Sequence, residues 1–153
     1  MNTRLACTLG LLLSLPSDLR CQNVTGPTVR FNTTLGNIDV TLLTAAAPRT
    51  VANFLTYVNR GAFNNSIFHR SPPGFVIQGG GYQWQNNLVE IPSDPPIRNE
   101  YSTSNTRGTL AMAKLGGMPN SATNQWFFNL GDNSRNLNNT NGGYTVFGRI
   151  SNP

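Results

Sequence analysis

The apolar residues of this chain come in short runs, and only one stretch carries a helical period. Beyond residue 61 the runs cover 67–70, 75–78, 109–113, 125–130 and 145–150, each cut off by Gly, Pro or Asn. Runs this short suit buried strands better than ordinary helices. Ahead of them, 29–33 and 38–42 read as two strands joined by Thr34-Leu35-Gly36-Asn37. The second alternates Ile38, Val40 and Leu42 with Asp39 and Thr41, the period-two pattern of a half-buried strand. The helix follows. Pro48 suits a first helical turn, Val51, Phe54, Leu55 and Val58 share one face, and Gly61 supplies the stop. Residues 82–105, with Pro92, Pro95 and Pro96, read as a long irregular connection. Many short strands and one helix to plug an open end predict a mainly β fold, a closed antiparallel barrel with a capping helix. A chain of 153 residues allows one such domain and one core.

The first residues read differently. Arg4 precedes an apolar run, 5–15, which Pro16 and Ser17 break. The run is too short to span a bilayer and fits the apolar centre of a secretory signal. Residues 1–22 are therefore expected to be a signal peptide, 23–28 a linker and 29–153 the domain. An exported protein, periplasmic or secreted by a bacterium, is the expectation. Charged residues make up 11% of the chain, against ~25% in an average soluble domain, and Asn, Thr and Ser supply the polar surface instead. Cys7 and Cys21 fall outside the domain, so no stabilising disulfide is expected. Lipidation at Cys21 would want a small residue before it, and Arg20 stands there.

The net charge of +5 comes from ten arginines and one lysine against six acids. These cations are scattered singly, whereas nucleic-acid surfaces cluster them. They read as solvated surface, and no nucleic-acid partner is expected. His69 is the single histidine and no cysteine lies within the domain, so no zinc site is expected; no cofactor is implied. It reads as a satisfied structural residue. Gly79-Gly80-Gly81 reads as a bulge after a strand before it reads as a phosphate cradle.

Three blocks narrow the reading. Phe68-His69-Arg70 and Phe75-Val76-Ile77-Gln78-Gly79-Gly80 set a guanidinium, a phenyl ring and an amide within eleven residues. Gly108-Thr109-Leu110-Ala111-Met112-Ala113 and Asn120-Ser121-Ala122-Thr123-Asn124-Gln125-Trp126-Phe127-Phe128 repeat apolar surface beside amides. Gly142-Gly143-Tyr144-Thr145-Val146-Phe147-Gly148-Arg149 closes the set. In this order, from Val29 to Ile150, the blocks resemble the cyclophilins, peptidyl-prolyl cis-trans isomerases, in a bacterial-type version. The resemblance implies an eight-stranded barrel capped by two helices. Members continue past the Val146-Phe147-Gly148 block with a second helix and a last strand that pairs with the first. A chain ending at Pro153 is therefore expected to leave an open sheet edge and one unplugged end.

Rotation about X–Pro faces a barrier of ~18–20 kcal/mol and takes tens to hundreds of seconds unaided. Twisting the amide returns a lone pair to the imide nitrogen, and a fixed donor aimed there favours the twisted form over both planar ones. By resemblance Arg70 is that donor, a permanently charged fork of N–H groups. Gln78 and Phe75 complete the catalytic set, Gln78 by hydrogen-bonding the substrate backbone. Val76, Phe127, Leu137 and Tyr144 are implied to wall the proline ring with Phe75. Val76 stands where many members carry the larger Met. Ala113 and Gln125 are implied to line the subsite for preceding residues. Lys114 takes a place often filled by Asn and changes the local charge. Asn136 falls where cyclosporin-sensitive members have Trp, which implies weak or no cyclosporin binding. Partners are then proline-containing polypeptides, unfolded or newly exported, met by a monomer. A proline-peptide-binding or holdase module without turnover, and an inactive partial domain, are the competing readings.

Overall fold

The computed structural model describes residues 26–151; the expected signal segment and both cysteines lie outside them. Strand β1 (Thr28–Thr33) turns back into β2 (Gly36–Leu42), with Thr28 opposite Thr41 and Phe31 opposite Ile38. At the turn Thr33 Oγ1 accepts from Leu35 N and donates to the Gly36 carbonyl over 2.7 Å. Helix α1 (Pro48–Asn59) has Pro in its first turn, and Gly61 lies just past it at φ +70°. Val51 and Phe54 of the expected face are buried, as is Tyr57, while Leu55 and Val58 pack at the margin of the core. The helix start is held from afar: Glu100 accepts from Thr50 N (2.8 Å), Thr50 Oγ1 (2.9 Å) and Arg49 N (3.2 Å). A carboxylate there satisfies orphan amides and complements the positive end of the helix.

Four more strands complete the main sheet: β3 (Val76–Gly79), β6 (Thr109–Met112), β7 (Trp126–Asn129) and β8 (Val146–Ile150). The order is β1-β2-β8-β6-β7-β3, antiparallel throughout, with a register shift between Leu110 and Ala111. The sheet curls on itself. Phe31 of edge strand β1 reaches Trp126 and Phe128 of β7 with ring centroids 5.0 and 5.2 Å apart, although three strands separate them in the sheet. Such contact requires a half-barrel around one interior, filled by residues such as Val40, Leu42, Phe54, Leu110, Met112 and Phe147.

The eight strands of the described residues do not form one closed barrel. β4 (Tyr82–Trp84) and β5 (Leu88–Glu90) pair with each other as a separate hairpin inside the stretch expected to be irregular. Asn86, at φ +63°, makes that turn, a conformation asparagine tolerates better than most residues. β1 and β3 end the six-stranded sheet without bonding to each other, leaving the open edge. The 67–70 run is not a strand: Pro72 and Pro73 follow at once, and only an isolated bridge from Arg70 to Gln78 survives. One further turn of helix, α2 (Ser134–Leu137), rises from the Asn-rich loop.

Candidate active site

Strand alternation sends side chains to two faces of the sheet. Trp126 and Phe128 enter the barrel interior, and Phe127 between them joins a second cluster. The same split places Ala111 opposite Leu110 and Met112, and Val146 opposite Phe147. Val76, Ala111, Phe127, Leu137 and Val146 thus form a small apolar floor on the outer face, with Phe75, Ala113 and Tyr144 at its margin. A cleft of about 350 Å³ opens over this floor.

Of the residues singled out from the sequence, all but Gln125 line that cleft: Arg70, Phe75, Val76, Gln78, Ala113, Lys114, Phe127, Leu137 and Tyr144. Asn136 and Thr140 also line it. Gln125 lies beside it and accepts from Gln78 Nε2 over 2.8 Å, which fixes the Gln78 amide. Arg70 is brought alongside by backbone pairing, with Gln78 N donating to the Arg70 carbonyl (2.8 Å) and His69 N to the Gln78 carbonyl (3.0 Å). Its exposed guanidinium has no hydrogen-bond or ion-pair partner among the described residues. Phe127 and Tyr144 meet edge to face at 5.8 Å, closing one wall.

His69 departs from expectation. It packs edge-on against Tyr82 at 5.0 Å, but its Nδ1 is buried without a hydrogen-bond partner among the described residues. Burial holds the imidazole below its ordinary pKa, and Arg70 adds repulsion against a hydrogen bond with Gln125 that favours the charged form. The side chain is a neutral wedge behind the cleft. Gly79 and Gly80 leave room for Trp126: a Cβ on Gly80, at φ +79°, would lie 2.6 Å from the indole nitrogen.

Lys114 is more deeply engaged than its sequence position implies. Nζ donates to the carbonyls of Asn141 (2.8 Å) and Gly143 (2.6 Å) and sits 4.7 Å from the Tyr144 ring centroid. Burial lowers its pKa to about 8.

Sequence reasoning missed the support beneath the cleft. Asn105, Asn129 and Asn133 are buried. Asn133 Nδ2 donates to the Phe75 carbonyl and to Asn129 Oδ1, at 2.8 and 2.7 Å. Asn129 Nδ2 donates to Thr109 Oγ1 (2.9 Å) and Asn105 Oδ1 (3.3 Å), and Asn105 Nδ2 to the Tyr144 carbonyl (3.0 Å). A chain of amides therefore joins the backbone behind Phe75 to the backbone behind Tyr144. Asparagine is expected at the surface of such a chain, and nothing local in the sequence marks these three as interior.

The arrangement offers an apolar seat for a ring, an unpaired guanidinium at its rim and an oriented amide beside it. Those are groups for holding a polypeptide and polarising an amide. A family model described as cyclophilin type peptidyl-prolyl cis-trans isomerase/CLD matches residues 28–152. A peptidyl-prolyl cis-trans isomerase of Acinetobacter baylyi is 42% identical over 153 residues, covering 98% of this chain and 77% of that protein. Peptidyl-prolyl cis-trans isomerase B of Escherichia coli is 46% identical over 107 residues, 69% of this chain and 63% of that protein. Among solved structures, a Cryptosporidium parvum cyclophilin type peptidyl-prolyl cis-trans isomerase, crystallised in the presence of the dipeptide Ala-Pro, superposes with a TM-score of 0.67. It is 27% identical, and the match covers 83% of this chain and 80% of that one.

Proposed function

Since the chain belongs to the cyclophilin-type peptidyl-prolyl cis-trans isomerases, and its reaction is rotation about X–Pro bonds, we propose that the cleft over Phe127 is where rotation occurs and Arg70 is the group that drives it. The proline ring rests on Phe75, Val76, Phe127 and Leu137, with Tyr144 as a wall. Gln78, held by Gln125, bonds the substrate backbone and keeps one side of the prolyl bond still. As the amide twists, the imide nitrogen regains its lone pair, and the Arg70 guanidinium donates to it. The donor meets a full lone pair only in the twisted state, so the interaction lowers the barrier more than it tightens binding. The observation that carries this reading is the guanidinium of Arg70, unpaired among the described residues, beside the apolar floor.

Other parts of the reading rest on single features. Asn136 at the rim, in place of an indole, supports weak or no cyclosporin binding. Export to the periplasm or beyond rests on the apolar run 5–15. The working form is a monomer acting on proline-containing segments of unfolded or newly exported chains.

The test is cis-trans exchange of an Ala-Pro peptide followed by NMR with the full chain and with Arg70→Ala. Acceleration that falls about 100-fold in the variant, the scale for removing one transition-state donor, is the expected result. Equal acceleration by both proteins would remove Arg70 from the mechanism. Peptide binding without acceleration would make the cleft a binding module.

A further inference from the structure

Among the described residues, two cations and no acid line the cleft. The acids of the described residues are engaged or placed elsewhere. Asp39 pairs with Arg30, Asp94 with Arg60, Glu100 caps α1, Asp132 accepts from Ser134 N, and Glu90 lies on β5. Lys114 therefore sits half-buried with only the carbonyls of Asn141 and Gly143 and the face of Tyr144 around its charge. Carbonyl dipoles and a ring quadrupole solvate an ammonium without neutralising it. The two short bonds also hold Nζ in place and leave its third N–H unassigned. Little side-chain entropy remains to be lost when an anion arrives. The Arg70 guanidinium adds a second unneutralised charge.

We propose that Lys114, with Arg70, makes this cleft select proline segments that carry an acidic side chain next to the proline. The inference rests on the isomerase reading and names its substrate class. With the ring seated on the apolar floor, the residues flanking the proline cross a rim that carries both cations. A carboxylate there meets uncompensated positive charge in a partly desolvated place, and an ammonium there is repelled.

The experiment measures kcat/KM for exchange with peptides that differ only in the residue before the proline, Glu, Gln or Lys, and a second series varied after it. The full chain is expected to favour Glu over Lys by roughly fivefold in at least one series, the scale of a single partly screened ion pair. Gln should fall between them. Lys114→Met is expected to shrink the ratio below about twofold, Lys114→Arg to keep it, and Lys114→Glu to reverse the order. Equal values across both series, with exchange still accelerated, overturn the proposal and leave the isomerase reading standing. Loss of acceleration even for the Gln peptides overturns that reading instead. A Glu preference unchanged in Lys114→Met and Lys114→Glu assigns the selection to Arg70 alone and overturns the role of Lys114. The native-chain series needs no variant to fold.

Discussion

The side-chain amide of Asn133 donates to the backbone carbonyl of Phe75 over 2.8 Å, across 58 residues of chain. Through Asn129 and Asn105 the same run of amides ends on the carbonyl of Tyr144. Two walls of the cleft are thus tied together underneath by groups that do not line it.

Asn129 is the centre of that run and fully enclosed. Replacing it by Ala leaves Asn105 Oδ1 and Thr109 Oγ1 short of a donor in a buried site, at a cost of about 2–3 kcal/mol. Urea unfolding should register that loss. At temperatures where the variant is folded, KM for a proline peptide should rise more than kcat falls, because the walls lose register while Arg70 stays.

Arg70→Lys separates charge from geometry. Lysine keeps the positive charge but replaces a rigid planar fork with a point charge on a flexible stem. The variant should recover less than about a tenth of the native kcat/KM in the NMR exchange assay. Full recovery would mean that charge alone acts on the twisted amide.

The burial of Lys114 has a pH signature. Its folded pKa, about 8, lies below the ordinary 10.5, so between these values the unfolded chain holds a proton that the folded one has released. Stability from this group therefore rises as pH climbs from about 8 toward 10.5, and below about 8 it adds no slope. Lys114→Met should flatten that segment of a stability-against-pH curve from denaturant unfolding. The preference for acidic peptides should fade across pH 8 on the same account, as the ammonium is lost.

Glu100 is a support without a place in the cleft. Its carboxylate holds the start of α1 through three bonds. Glu100→Ala should cost about 1–2 kcal/mol, the scale of a lost helix cap, and lower Tm by several degrees. Exchange catalysis measured well below Tm should stay within twofold of native. A larger drop would tie helix entry to the cleft.

What the sequence determined by itself was much of what short-range geometry controls. Alternation along 38–42 marked a strand, the spacing of Val51, Phe54, Leu55 and Val58 marked a helix face, and Arg70, Phe75 and Gln78 stand close enough in the chain to be recognised as one motif. The strand and the helix face follow from two backbone periods and from turn residues, which act within a few positions; the motif was legible through its resemblance to the cyclophilins. The tertiary structure alone decided the rest. It showed that the open edge expected from the resemblance falls between β1 and β3, and that a short hairpin forms within 82–105. It also showed that His69 Nδ1 lacks a hydrogen-bond partner among the described residues, that Lys114 bonds carbonyls more than 25 residues away, and that Asn105, Asn129 and Asn133 are interior. Apart from the hairpin, whose paired residues stand at most eight positions apart, each of these depends on which distant backbone groups meet once the sheet curls. An amide or an ammonium looks the same in the sequence whether water or a buried carbonyl will satisfy it.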